Sequence, residues 1–476
     1  MPPPHHSPTD PAAFAAGPLH ELQPGVHRIV VIGGGAGGLE LAARLGQRAR
    51  RDARVLRGAR GTPGAAAGAG RVEVVLVDAQ LRHVWKPSLH ELAAGTVTGN
   101  ETEADFLQQA RRHGFRFHLG AFTHLDRARR LAWLAPLADG EGRPLAPERA
   151  IAYDTLVMAV GSVVNDFGTP GVRAHALALD SAADARRFHR RLLAACARAE
   201  LSGDAPVRIA IVGGGATGVE LAAELVDAVG AIARYGEALR TLQRPVAITL
   251  LEAGPRLLAA LPEDLAAQVR RDLEGLGIDV RTGARVAEVT VDGCVLAGEA
   301  SRVPAQLTVW AAGIQGPAAM DGVDGLALNR LRQLVVDRLL RAPGDERVHA
   351  LGDCAACPMG PDADRGTVPP RAQAAHQQAA WLARALWARV AGGPPTSPFT
   401  FRDQGSLVSV GERRAVGQLV AMLPRSGVRV EGWLGKAAYS AVQRSHLVTL
   451  HGAFRAFTTL AGAWLSGRSL PKVKLH

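Results

Sequence analysis

One segment of fifteen residues occurs twice in the chain, 180 positions apart, and this repeat limits the possible folds. Residues 31–45 read VIGGGAGGLELAARL and residues 211–225 read IVGGGATGVELAAEL, with ten identical positions. Each copy follows an apolar, β-branched run and opens an Ala- and Leu-rich helical pattern. That order predicts a strand, a tight glycine turn and a helix. Two such units predict two Rossmann-like α/β domains in one chain.

The glycines in both turns have the spacing G-x-G-x-x-G. The first glycine permits the tight turn, the second lets the backbone approach a pyrophosphate, and the third allows close packing of the helix. The helix N-terminus then favours the anion. A single fingerprint is a weak signal, but two in the same strand–turn–helix context predict two dinucleotide sites. The residues concerned are Gly33, Gly35 and Gly38 in the first copy, and Gly213, Gly215 and Gly218 in the second.

An acidic residue ends the second strand of each unit, namely Asp78 after VEVVLV and Glu252 after VAITLL. Asp78 lies 40 residues beyond Gly38, whereas the usual spacing is about 20. The stretch Arg48–Gly70, interpreted as a solvated insertion, accounts for the difference. A carboxylate at Glu252 would accept from a ribose 2′-hydroxyl and repel a 2′-phosphate, which predicts preference for NADH over NADPH. The alternative is a solvated acid at a strand end.

Three further β-runs end in small residues, at Gly161, at Gly313 and at Gly352 followed by Asp353. With the repeat, they predict the following division of the chain: a disordered Pro-rich tail over 1–25, a discontinuous first nucleotide domain over 26–165 and 330–400, a second over 166–329, and a C-terminal region over 401–476.

The formal net charge is +11 at pH 7, and it is concentrated at the C-terminus, where residues 425–476 hold eight Lys or Arg and a single acid. No motif for nucleic-acid binding accompanies this charge. An apolar stripe with helical spacing lies among the basic residues, which favours an anionic lipid surface. Packing on the protein's own core or in a homodimer is the alternative. The stripe consists of Leu447, Leu450, Phe454, Phe457, Ala461 and Trp464.

Cys354 and Cys357 form a C-x-x-C motif, a pattern found in redox dithiols. In related disulfide reductases the pair follows the first fingerprint or lies in the NAD domain, and neither holds here. A structural role is therefore favoured. The chain has four cysteines in total and no second Cys or His pair at zinc-ligand spacing, so we predict no metal site.

Several blocks together resemble the type II NADH:quinone oxidoreductases, single-subunit respiratory dehydrogenases that do not pump protons. The resemblance runs from about Arg28 to His476. The blocks are HVWKPSLHELAAG, YDTLVMAVGS, VWAAGI, ALGDCAACP and PPRAQAAHQQ. The resemblance implies non-covalent FAD at the first fingerprint, NADH at the second, and electron transfer to a membrane quinone, ubiquinone or menaquinone. It also implies a peripheral position on the cytoplasmic face of the inner (plasma) membrane.

The resemblance also assigns roles to individual residues. Lys86 would lie near the flavin ring, and Asp353 would bind the ribityl or phosphate region. Ala372, Gln373 and Gln377 form an AQxxxQ element at the start of a helix predicted over 371–388, with Pro369 and Pro370 in its first turn. The two amides would orient a quinone carbonyl, unless they are ordinary surface residues.

Glu220 would lie near the nicotinamide and the quinone as a polarising or proton-relay group. However, Glu40 has the same place in the first repeat, so an acid there could simply suit the start of a helix. Other functions with the same fold are a sulfide:quinone reductase and a ferredoxin or disulfide reductase. Two alternatives are not enzymes, namely a nucleotide-binding redox sensor without catalytic activity and a DNA-associated protein.

Overall fold

The computed structural model describes residues 21–58, 71–97, 103–202, 206–234, 245–298, 302–361, 366–394, 396–411, 415–419 and 428–430. The chain divides into two compact units, each built from three segments. The first unit comprises Met1–His83, Asp105–Gly161 and Gly316–Phe401. The second comprises Val84–Ala104, Ser162–Gln315 and Arg402–His476.

A six-stranded sheet forms the centre of the first unit. All its neighbouring strands pair in parallel except the edge strand Arg341–Ala342. Residues 28–32 in the central strand are buried, which is typical of a strand covered on both faces. In spatial order the strands are Arg341–Ala342, Asp345–Ala350, Thr155–Met158, Val26–Ile32, Arg71–Asp78 and Arg116–Leu119.

Among its described residues, the first unit has the helices Ala36–Gly58, Phe106–His113 and Ala372–Val390, with 3-10 turns at Ala318–Gly322 and Gly352–Cys354. An antiparallel sheet is formed by Phe122–Asp126, Leu131–Leu134 and Arg149–Ala152. Short strand pairs are Leu137–Ala138 with Pro144–Ala146 and Leu334–Val335 with Ala355–Ala356.

The second unit repeats this plan around a five-stranded parallel sheet. Its central strand, Val207–Val212, is flanked by the strand that ends at Glu252 and by the strand that ends at Trp310. The strands are Ala176–Leu177, Leu307–Trp310, Val207–Val212, Val246–Glu252 and Asp279–Thr282 in spatial order. An antiparallel sheet is formed by Val286–Thr290, Gly293–Leu296 and Arg302–Pro304.

The helices in the described part of the second unit are Leu89–Ala94, Val172–His175, Ala182–Ser202, Ala216–Ala233 and Glu263–Gly275, with a 3-10 turn at Lys86–Ser88. Val163–Val164 pairs with Ile314–Gln315, and a further sheet consists of Gly405–Ser409, Ala415–Leu419 and Val428–Val430. Two short strands, Arg82–Val84 and Glu103–Asp105, lie where the chain passes from one unit to the other.

The two Rossmann-like domains predicted from the repeat are present. The units change over at Gly161 and Gly316, and residues 84–104 belong to the second unit, whereas the sequence placed the changes at 165 and 330. The expectation of a solvated loop from Arg48 was wrong at its start, because the first helix continues to Gly58. Arg and Ala are strong helix formers, and they extend it.

Among the described residues, no helix is both long and apolar enough to cross a membrane. The tail over 1–20 and the C-terminal stripe fall outside the described residues.

Candidate functional site

The first glycine fingerprint forms a turn at the end of the central strand of the first unit. Gly33 has a φ of +102°, a conformation that side chains with a Cβ rarely adopt. A Cβ on Gly38 would overlap the carbonyl oxygen of Gly33. A Cβ on Gly35 would instead meet no atom within 4 Å. Open space therefore lies beside Gly35 at the start of the helix Ala36–Gly58, where a pyrophosphate can approach the backbone.

Asp78 lies beside this turn. Its Oδ2 accepts a hydrogen bond of 2.7 Å from the Gly34 N–H, and its Oδ1 accepts one of 2.8 Å from the Gln80 N–H. Burial raises the pKa of Asp78, although these two hydrogen bonds act in the opposite direction. The predicted acid is thus fixed against the glycine turn, in spite of the long insertion that precedes it.

The second fingerprint has the same geometry. Gly213 has a φ of +116°, and a Cβ on Gly215 would meet no atom within 4 Å, whereas one on Gly218 would overlap the carbonyl oxygen of Gly213. Glu252 accepts hydrogen bonds of 2.6 Å from both the Gly214 and Gly254 N–H groups. Each unit therefore fixes an acidic side chain against the residue between the first two glycines of its fingerprint, Gly34 in the first unit and Gly214 in the second.

Three other predicted cofactor-binding residues, Lys86, Gly161 and Gly313, lie outside the two glycine turns. Lys86 lies in the second unit, where its Nζ donates a 2.6 Å hydrogen bond to the Ser162 carbonyl oxygen. Gly161 ends a segment of the first unit with a φ of +71°. Gly313, in the second unit, has a φ of +64°, and a Cβ there would run into the Phe167 ring.

Gly352 and Asp353 form a short 3-10 turn in the first unit. The Gly352 N–H donates a 2.7 Å hydrogen bond to Oε1 of Gln378, and the Asp353 carbonyl oxygen accepts one of 2.8 Å from Nε2 of Gln333. Gln378 is buried. Sequence reasoning missed Gln378 and Gln333 because nothing in their local pattern distinguishes a buried amide from an exposed one.

The AQxxxQ element opens the helix Ala372–Val390 in the first unit. Gln373 and Gln377 are half-buried and lie one turn apart, so they share a face of the helix as predicted. The expectation that the prolines lie in the first turn was wrong. Arg371 is the N-cap, with an extended backbone, so Pro370 precedes the helix.

His376 lies on the same helix, between the two predicted quinone-binding amides. Its Nδ1 forms a short hydrogen bond with Oε2 of Glu40, and the Glu40 carboxylate also binds Arg44. Burial alone would raise the pKa of Glu40, but the His376 and Arg44 interactions outweigh it, and the pKa lies below its usual value. Glu40 therefore has a structural partner that the repeat alone does not reveal.

Glu220 is the counterpart of Glu40 in the second unit, and it is also buried. Its Oε1 accepts a 3.1 Å hydrogen bond from the backbone N–H of Ser409, and its Oε2 lies 3.7 Å from Nδ1 of His90. His90 belongs to the short helix Leu89–Ala94. Sequence reasoning did not single out His90, although the motif HVWKPSLHELAAG contains it.

Cys354 and Cys357 are free thiols with no exposed surface. Cys354 donates to the carbonyl oxygens of Met158 and Leu351 at 3.5 and 3.4 Å. Burial raises the pKa of each thiol to about 12, so both thiols remain protonated near neutral pH. Because the thiolate is the reactive form of cysteine, neither thiol is activated for redox chemistry. The described residues hold no cluster of side chains suited to a metal ion.

Comparison with known proteins identifies the family. The pyridine nucleotide-disulphide oxidoreductase family matches residues 27–379. The type II NADH:quinone oxidoreductase of Haemophilus influenzae is 35% identical over 464 residues, which cover 94% of this chain and 99% of the relative. The chain belongs to the type II NADH:quinone oxidoreductases.

Two further proteins show how widely this similarity extends. The type II NADH:quinone oxidoreductase of Staphylococcus aureus is 26% identical over 400 residues, covering 82% of this chain and 89% of the relative. The structure of NDH2 from Plasmodium falciparum in complex with NADH has a TM-score of 0.75 at 19% identity, and covers 94% of this chain and 100% of its own. At that identity the match concerns the fold alone.

Membership in this family implies FAD as the cofactor and NADH as the substrate, and the residues present fit two dinucleotides. In each unit, a glycine turn with open space beside its second glycine meets a helix N-terminus and a fixed acid. These features supply backbone N–H groups for a pyrophosphate and carboxylate oxygens for ribose hydroxyls.

Proposed function

We propose that this protein takes hydride from NADH onto non-covalently bound FAD and passes two electrons to a membrane quinone without pumping protons. The observation that supports this most directly is the duplicated site, in which Asp78 and Glu252 are fixed in the same way against Gly34 and Gly214. Two dinucleotide sites in one chain fit one resident and one exchangeable nucleotide. When bound, FAD supplies the two-electron acceptor that links NADH to the quinone.

In this proposal FAD is held by residues of the first unit, namely Gly33, Gly35, Gly38, Asp78, Gly161, Gly352, Asp353 and Ala372. Lys86 lies near the flavin ring. NADH is held by residues of the second unit, namely Gly213, Gly215, Gly218, Glu252 and Gly313. Gln373 and Gln377 orient the quinone carbonyl, and Glu220 polarises the acceptor or relays a proton to it.

The activity is tested with purified protein that retains its yellow colour. NADH and a water-soluble short-chain quinone are mixed with it, and the absorbance of NADH is followed. We expect NADH oxidation that depends on both the protein and the quinone. Flavin bleaching by NADH without reoxidation by the quinone would contradict the proposed acceptor.

We further propose that the protein is peripheral on the cytoplasmic face of the inner membrane, bound to anionic lipid through residues 401–476, which could also pair two copies. The support is the sequence of this region, with its apolar stripe and eight basic residues after position 424. Such a segment binds through both apolar insertion and charge.

Removal of residues 435–476 tests this anchor. The truncated and full-length proteins are sedimented with vesicles of phosphatidylcholine containing phosphatidylserine, at low and high salt. We expect the full chain to bind, with partial loss at high salt, because salt screens charge but not the apolar contact. The truncated protein should keep its flavin and stay in the supernatant. Equal sedimentation of both proteins would refute the anchor.

A further inference from the structure

His90 and Glu220 form a buried titratable pair in the second unit. The side chain of His90 is 3% exposed and that of Glu220 is 9% exposed, with Nδ1 and Oε2 3.7 Å apart. A buried carboxylate is costly unless it is hydrogen-bonded or paired. The other oxygen of Glu220 accepts the 3.1 Å hydrogen bond from Ser409 N–H. The carboxylate is therefore held from two sides, by a backbone donor and by an imidazole.

The distance between the imidazole and the carboxylate decides whether they interact through a hydrogen bond or through charge alone. At 3.7 Å it is too long for a hydrogen bond, so the attraction depends on the charge of the imidazole. A negative carboxylate favours a protonated imidazole at this range, and loss of a proton from one group changes the affinity of the other. The pair at Glu40 differs, because His376 contacts that carboxylate directly.

The elements packed against the helix of Glu220 carry other titratable side chains. The helix Ala182–Ser202 carries His189, whose Nδ1 contacts the carbonyl oxygen of Ala93. The strand Gly405–Ser409 carries no titratable side chain. The helix Leu89–Ala94 carries Glu91 besides His90. On its own helix, Glu224 is one turn further on and also buried, and Asp227 follows it. In the strand Gly405–Ser409 and the helices Leu89–Ala94 and Ala216–Ala233, His90 is the one basic residue, and its Nδ1 lies 3.7 Å from the Glu220 carboxylate.

We propose that His90 is a positioning residue for Glu220, and that the pair holds the proton that the reaction takes from solution. This inference rests on the proposed function. NADH, one proton and a quinone give NAD⁺ and a quinol, so the hydride brings two electrons and one proton, and solution supplies the other. In the proposed step the proton of the His90 imidazolium passes to the Glu220 carboxylate, so that an N–H bond breaks and an O–H bond forms. That O–H bond then breaks as one forms at the oxygen of a quinone that receives two electrons from reduced FAD. A proton from solution then restores the N–H bond of His90.

Three variants test this inference in the flavin-loaded, full-length protein. His90→Gln keeps a polar side chain of similar length that cannot hold the proton, whereas His90→Leu removes both functions. His189→Gln is the matched control, because His189 is buried in the same unit and contacts the carbonyl oxygen of Ala93 at 3.2 Å. Flavin reduction by NADH and reoxidation by a short-chain quinone are measured separately by stopped flow from pH 5.5 to 9.

We expect both His90 variants to be reduced by NADH at nearly the wild-type rate and reoxidised about 10-fold more slowly near neutral pH, less than the loss typical of a direct general acid. The pH above which reoxidation slows should move lower in His90→Gln, because Glu220 alone then holds the proton. His189→Gln should behave as wild type.

Three results would overturn the inference. One is reoxidation with wild-type rate and pH dependence in His90→Gln. Another is equal slowing of both half-reactions in His90→Gln and in the control, which would show a structural role. The third is slowing of flavin reduction alone, which would assign the pair to NADH. If His90→Leu fails to retain flavin, His90→Gln decides. If wild-type flavin is not reoxidised by the quinone at all, the proposed function fails instead.

Discussion

Glu252 and Gly214 are joined by a 2.6 Å hydrogen bond from the Gly214 N–H to Oε2 of the carboxylate. The other oxygen accepts from Gly254 N–H, so the negative charge is fixed beside the glycine turn of the second unit. A carboxylate oxygen has lone pairs for more than one donor. It can therefore accept from a ribose 2′-hydroxyl, and it repels a phosphate at the same position.

Substitution of Glu252 should therefore weaken the preference for NADH. In Glu252→Ala we expect kcat/KM for NADH to fall about 10- to 100-fold, the equivalent of one hydrogen bond to a charged group. The value for NADPH should fall less or rise. Steady-state kinetics with both nucleotides measure the ratio, and retained flavin absorbance shows that the first unit is intact. A wild type that uses both nucleotides equally would contradict the assignment.

Cys354 and Cys357 should be dispensable for electron transfer. Because burial keeps both thiols protonated, neither can act as a thiolate near neutral pH. The double variant Cys354→Ser/Cys357→Ser should retain flavin and most of its NADH:quinone activity, with a stability loss of about 1–3 kcal/mol from two buried hydroxyls. Activity and urea unfolding measure the two effects. Lost activity with intact flavin and stability would restore the dithiol interpretation.

The stability of the protein should fall in mild acid because of His349. Burial, reinforced by the charge of Arg389, lowers the pKa of His349 to about 4 from a usual value of 6.5. In the unfolded chain the imidazole is protonated below about pH 6.5, whereas in the folded protein it stays neutral until about pH 4. The contribution of neutral His349 to the free energy of unfolding is therefore fully present above pH 6.5, and it is lost progressively as the pH falls toward 4.

The difference between the pKa of His349 in the folded and the unfolded protein should lower the free energy of unfolding by about 2 kcal/mol from pH 7 to pH 5. The variant His349→Leu, which has no titratable group, should lose that much less stability over the same range. Urea unfolding of both proteins at the two pH values gives the comparison. Equal losses in both would show that His349 does not contribute to acid sensitivity.

Much of the fold follows from the repeat, because strand, glycine turn, helix and terminal acid are all encoded within short segments. Gly33 and Gly213 adopt the predicted turn, and Asp78 lies beside its turn although the insertion doubles the expected spacing. Partners brought from distant segments could not be predicted. Nothing near Glu220 in the sequence indicates His90, and nothing near Gly352 indicates Gln378.

The start of the last helix shows the limit of local rules. Two prolines followed by a helical pattern predicted a proline in the first turn, but the helix starts only at Ala372. Arg371 takes an extended conformation as N-cap, and its side chain forms no capping hydrogen bond. The same helix carries His376, whose bond to Glu40 joins residues 336 positions apart. Such a contact depends on packing rather than on propensity.

The helix that begins at Ala372 should serve the quinone rather than NADH. Gln373 and Gln377 are half-buried on one face of its first turns, where the positive end of the helix dipole lies. In Gln373→Leu or Gln377→Leu we expect a higher quinone KM or slower reoxidation by the quinone. Loss of one neutral amide contact, worth about 0.5–1.5 kcal/mol, corresponds to an effect of about 2- to 15-fold.

The matched control for this prediction is Gln108→Leu, which makes the same substitution at an exposed position on another helix of the first unit. Stopped-flow measurement separates the two half-reactions. Flavin reduction by NADH should keep nearly its original rate in all three variants, and reoxidation by a short-chain quinone should slow only in the two variants of the last helix. If reduction slowed while reoxidation did not, Gln373 and Gln377 would belong to the NADH side, because an amide that contacts only the quinone cannot affect a reaction measured in its absence.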